Sequence, residues 1–142
     1  MEISHKVQEF ALEKYLEEFI INNFDSIFQG SLNLVKDENG KPNQHEIYDD
    51  ELSILGKIDI LAQESKDNAY VVIELKKGKS SDKVVGQLSR YMGWVQENLC
   101  EHNELVRGLI ICKEKDKKLE YALKLQPLMN MKFYEIDFKL RE

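Results

Sequence analysis

"VVIELKKGKSS", residues 71–81, opens as a buried β-strand and then departs from the pattern. Val71, Val72, Ile73 and Leu75 leave water readily, yet Glu74 sits inside the run and Lys76 follows it. Burying an unpaired charge is costly, and burying two requires a partner for each. Side chains alternate across a strand, so Tyr70, Val72, Glu74 and Lys76 share one face. Val71, Ile73 and Leu75 share the other, the natural core side. In the preceding run, "ILGKIDILAQ" at 54–63, alternation groups Ile58 with Ile60, and Lys57 with Asp59 and Leu61 on the opposite face. Ser65-Lys66-Asp67-Asn68 is a polar turn between the two strands. A hairpin centred between Lys66 and Asp67 puts Asp59 directly opposite Glu74, with Cβ atoms about 5 Å apart. Like charges there destabilise a sheet unless a divalent cation sits between them. Mg²⁺ takes oxygen ligands and often uses only one or two carboxylates, with water and substrate phosphate completing its shell. The competing reading is an exposed sheet face whose charges are paired by lysines.

The chain around this pair has 142 residues, the size of one domain with one core, so residues 1–142 are read as a single domain. Its 42% hydrophobic and 32% charged residues are those of a soluble globular protein rather than a disordered one. No apolar run approaches the roughly 20 residues needed to cross a bilayer, and "MEISHKVQEF" lacks the core of a signal peptide. A cytoplasmic protein is the expectation. Cys100 and Cys112 form no metal-type pair, and His5, His45 and His102 are scattered, so neither a disulfide framework nor a zinc cluster is indicated. The net charge of −6 argues mildly against a simple electrostatic nucleic-acid binder. The charges are nevertheless segregated. Lys76, Lys77, Lys79, Lys83 and Arg90 face only Asp82 in their stretch, whereas acid gathers at Glu13, Glu17, Glu18 and in Asp49-Asp50-Glu51. The basic stretch reads either as a phosphate-facing edge beside a cation centre or as a solvated helix end.

Residues 6–24 read as a helix and 31–36 as a strand, with Asn39-Gly40 a hairpin turn signal leading to a second strand near 44–48. Strands at 54–63 and 69–77 follow. Ser80 or Ser81 is placed as the cap of a helix of about 18 residues carrying Val85, Leu88, Met92, Val95 and Leu99 at helical spacing. A strand at 105–112, a helix near 117–126 and a strand near 131–138 complete an α/β chain with a mixed β-sheet flanked by helices. In the first helix, Phe10, Leu12, Leu16, Phe19, Ile20, Ile21 and Phe24 cover a broad apolar arc that also contains Glu13 and Glu17. An inward carboxylate must be paired, hydrogen-bonded or metal-bound, and Glu17 is the better candidate because it lies nearer the helix centre. Trp94, Phe133, Tyr134 and Phe138 read as core aromatics. Gly56 and Gly78, near strand ends, have two readings, room for a close-lying substrate or ordinary turns.

Taken together, "GKIDIL", "VVIELKKGKSSDKVVGQLSRYMGWV" and the earlier "LEEFIINN" resemble the PD-(D/E)XK nuclease superfamily, and within it the catalytic domain of NucS-type DNA endonucleases. The matching residues run from Glu17 to Trp94. The resemblance implies a restriction-endonuclease-like fold and a Mg²⁺- or Mn²⁺-dependent endonuclease acting on DNA, with RNA left open. It implies Asp59 and Glu74 as metal-binding carboxylates and the Leu75 carbonyl as a neutral ligand. Glu17 would be a further, often water-mediated, metal contact. Lys76 would orient water and stabilise phosphate charge, with Gln87 and Tyr91 beside the centre. The basic residues Lys77, Lys79, Lys83 and Arg90 would then hold the flanking backbone. Homodimerisation is implied because many such enzymes pair two active sites. Two departures stand out: Lys57-Ile58 occupies the place of the superfamily's proline, and the N-terminal DNA-binding domain of NucS-type enzymes has no counterpart in these residues. The rival readings are a nuclease fold that binds nucleic acid without catalysis and a protein-interaction module.

Overall fold

The computed structural model describes residues 5–76, 82–114, 116–135 and 140–141, with side chains from Lys14 onward. Among the described residues six strands form one sheet: β1 (Leu32–Leu34), β2 (Asn43–Tyr48), β3 (Ile54–Glu64), β4 (Tyr70–Leu75), β5 (Val106–Cys112) and β6 (Met129–Phe133). Four helices among the same described residues accompany them: α1 (His5–Asn22), α2 (Phe24–Phe28), α3 (Lys83–Asn98) and α4 (Lys117–Leu123). The sheet is mixed. β3 and β4 pair antiparallel, whereas β4–β5 and β5–β6 pair parallel, joined through α3 and α4 as crossovers. This is a restriction-endonuclease-like α/β fold.

The central strands read as near-continuous apolar runs because helices cover both sheet faces, as parallel pairing requires. Val71, Ile73 and Leu75 pack with Ile60, Ala62, Leu109 and Ile111 against Ile20, Phe24 and Phe28 of α1 and α2. On the other face, Val72, Leu61 and Ile110 pack under Val84, Leu88, Tyr91, Met92 and Val95 of α3 and Leu119 of α4. The face that carries Glu74 is therefore a second core and not an open surface. Each fully buried Val, Leu or Ile contributes about 1.5–3 kcal/mol.

Several expectations are corrected here. The first helix ends at Asn22, close to its expected end, but a second short helix, α2, follows it unforeseen, and Asn23 between them turns its side chain back to the Phe19 carbonyl (2.9 Å). Phe19 and Phe133 are exposed rather than core, and Trp94 is half-buried, its indole N–H donating to the Tyr48 carbonyl (2.9 Å). The Asn39-Gly40 turn exists, with Gly40 N–H on the Asp37 carbonyl (2.9 Å), but it does not join β1 to β2 as a hairpin. Both strands pair with the same edge of the long β3 instead. Ile58 and Ile60 do not share a face: Ile58 belongs to the α3 side and Ile60 to the α1 side. Ser80, Ser81, Gly78 and Phe138 lie outside the described residues, and Asp82 stands at the N-cap position of α3.

At the far end of the β3–β4 hairpin, Arg107 donates to Glu64 (2.7 Å) and Asp67 (2.9 Å), tying the turn to β5. The guanidinium holds the Asp67 carboxyl below the usual carboxylate range.

Candidate active site

The β3–β4 register is Ile60 opposite Ile73, Leu61 opposite Val72, Ala62 opposite Val71 and Gln63 opposite Tyr70. One step further brings Asp59 to Glu74, where side chains take over from the ladder. The Asp59 carboxylate accepts the Leu75 N–H (2.9 Å), and the Glu74 carboxylate accepts the Asp59 N–H (3.2 Å). The backbone amides thus aim both carboxylates. Both groups are buried, Asp59 at 7% and Glu74 at 3% exposure. They border a cleft of about 300 Å³ lined also by Leu75, Lys76, Lys83, Val84 and Gln87.

Lys76 directly follows β4, and its N–H donates to the Ile111 carbonyl (2.9 Å). Its side chain is only 7% exposed, and its ammonium lies 3.9 Å from Asp116. Asp116 caps α4, one oxygen accepting the Lys118 N–H (3.1 Å). The other oxygen is buried and accepts no hydrogen bond among the described residues, so Lys76 is its electrostatic partner. No motif signal points to Asp116, because it enters from an element 40 residues further along the chain.

Glu17, on α1, accepts from the amides of Asn43 (2.9 Å) and Gln44 (2.6 Å). The Gln44 amide also donates to Asp59 (3.2 Å). Among the described residues no three His, Cys, Asp or Glu side chains gather closely enough to hold an ion by themselves. Glu17 reaches Asp59 through Gln44. Tyr91 is buried at 2% exposure and its hydroxyl accepts from the Gln87 amide (2.9 Å), so these two act as a unit. Gly56 meets neither earlier reading. A Cβ there would stand 2.2 Å from the Tyr91 hydroxyl, so the glycine makes room for the tyrosine. Lys83 and Arg90 are exposed on α3, Lys83 at the cleft; Lys77 and Lys79 lie outside the described residues.

Two buried carboxylates beside a cleft are a hard oxygen donor set. Mg²⁺ or Mn²⁺ fits it, since such ions commonly take one or two carboxylates and complete their shell with water and phosphate. Softer metals that favour thiolate or imidazole do not, because the cleft is lined by no cysteine or histidine among the described residues.

A family described as the YhcG PDDEXK nuclease domain matches residues 2–139. Among solved structures, a repair endonuclease from Pyrococcus abyssi is 24% identical with a TM-score of 0.57, covering 95% of this chain and 49% of that one. An EndoMS–dsDNA complex is 19% identical with a TM-score of 0.62, covering 98% and 48%. EndoMS in its apo form is 18% identical with a TM-score of 0.59, covering 97% and 49%. The chain therefore spans about half the length of the solved structures it matches, and at these identities the likeness is one of fold. No curated protein matches it.

Proposed function

Because the chain belongs to the YhcG PDDEXK nuclease domain family, we propose that it is a Mg²⁺- or Mn²⁺-dependent endonuclease hydrolysing phosphodiester bonds in DNA. The observation that carries this reading is the meeting of Asp59 and Glu74, buried and amide-bonded, with the shielded Lys76 at one cleft. Asp59 and Glu74 would hold the ion, with the Leu75 carbonyl as a neutral ligand. When bound, the ion supplies charge neutralisation on the phosphate and a more acidic water.

The chain's own residues do the rest. Lys76 orients the attacking water and meets the phosphate as a compact positive charge. The Leu75 N–H keeps Asp59 in one orientation, so substrate arrival costs little reorganisation. Gln87, anchored on Tyr91, borders the path to the cleft, and Lys83 with Lys77, Lys79 and Arg90 holds the flanking backbone. DNA is preferred over RNA because a similar fold, EndoMS, is seen with dsDNA. A homodimer would present two such sites to the two strands. Among the described residues no helix is long and apolar enough to cross a membrane, and we place the reaction in the cytoplasm.

With Mg²⁺ or Mn²⁺ the purified protein should nick or linearise plasmid DNA, and Glu74→Ala or Lys76→Ala should slow this by on the order of 10²–10³. Undiminished cleavage by both variants would overturn the assignment. DNA binding without Mn²⁺ binding in calorimetry would make the chain a non-catalytic binding module instead.

A further inference from the structure

Gln44 stands in the left-handed region, φ 54°, which costs a non-glycine residue energy and persists where surroundings enforce it. It is also placed with purpose. β2 pairs with β3 as Asn43 opposite Ile60 and His45 opposite Ile58, so Gln44 falls opposite Asp59. Asp59 therefore has Gln44 as its neighbour on one side and Glu74 on the other. The amide nitrogen of Gln44 lies 2.6 Å from Glu17 and 3.2 Å from Asp59. An amide has two N–H donors, and both are directed at carboxylates. This neutral group stands between two like charges and fixes their separation, while Asn43 holds the second oxygen of Glu17 at 2.9 Å.

We propose that Gln44 is a positioning residue of the metal centre, through which the Glu17 carboxylate on α1 acts on Asp59. The proposal rests on the metal-dependent reading above. It states further that Glu17 acts on Asp59 by way of the Gln44 amide, which both carboxylates share. Groups that orient metal ligands typically change affinity by about 10–100-fold when removed.

The test is Mn²⁺ titration calorimetry on the wild type, Gln44→Gly, Glu17→Ala and the double variant, with melting curves alongside. Each single variant should weaken Mn²⁺ binding by about tenfold or more, and the double should bind no more weakly than the worse single. Gln44→Gly should melt above Gln44→Ala, because both lack the amide and only glycine adopts this φ freely. That comparison separates the site from the stability of the fold. Losses that multiply in the double variant, or single variants that bind as the wild type does, would overturn the proposal and leave the nuclease reading intact. A wild type that binds no Mn²⁺ would overturn both.

Discussion

Lys76 is held from two directions, by its backbone on β5 and by the Asp116 carboxylate 3.9 Å from its ammonium. A flexible four-carbon side chain has several rotamers, and a charge at its tip aims it. Asp116 also caps α4, so the two roles must be separated by the choice of substitution. Asparagine caps as well as aspartate does. Asp116→Asn should therefore leave the helix capped yet remove the charge that aims Lys76, lowering cleavage by on the order of 10². In a Lys76→Ala background the same change should cost nothing more. Asp116→Ala should in addition lose about 1 kcal/mol of stability with the cap. Initial cleavage rates and melting curves check this; Asp116→Asn cutting as fast as the wild type would refute it. Asp59, Glu74 and Lys76 were legible as neighbours because one short turn sets the β3–β4 register that brings them together. Asp116 and Gln44 were not, since each arrives through a connection whose path no local pattern encodes.

At the scale of elements, the fit of α3 to the end of β3 turns on Gly56. A Cβ there would meet the Tyr91 hydroxyl at 2.2 Å and its ring carbons at 2.9 Å, and the glycine's φ of 148° is one that side chains rarely adopt. Gly56→Ala should cost about 1–3 kcal/mol by overpacking and push the Tyr91–Gln87 pair out of place. Tyr91→Phe in the same chain should restore part of that stability, because only the closest contact is removed. Equal melting temperatures for Gly56→Ala and wild type would show that the contact yields at no cost. The apolar series of α3 and the β3–β4 register were read correctly, because helical period and a two-strand turn are local properties. The β2–β3 register was beyond reach. A shift between Ile47 and Tyr48 moves Ile47 opposite Gly56 while Tyr48 meets Ile54. Counting back from the Asp49 turn therefore misplaces Gln44 by one residue. Likewise the Asn39-Gly40 signal was sound as a turn, but both flanking strands found a better partner in the eleven-residue β3.

For the whole molecule, the question is how a chain with a net charge of −6 would hold a polyanion. Charge segregation answers it. Lys83, Gln87 and Arg90 fall on one face of α3 at i, i+4 and i+7, all exposed, and the row begins at the cleft. Acidic residues elsewhere would repel a duplex and so favour approach by this face. With Lys77, Lys79, Lys83 and Arg90 as phosphate contacts, log Kd should vary with log salt concentration with a slope magnitude of about 3–4, well short of larger binders. Lys83→Ala and Arg90→Ala should each reduce that slope by about one and weaken binding alike on unrelated sequences. The measurement is DNA affinity, by anisotropy in Ca²⁺ to hold cleavage back, across a salt series. Slopes unchanged in both variants would place the DNA elsewhere on the molecule. A change in sequence preference without a change in slope would make this row a reader of bases rather than a rail for the backbone.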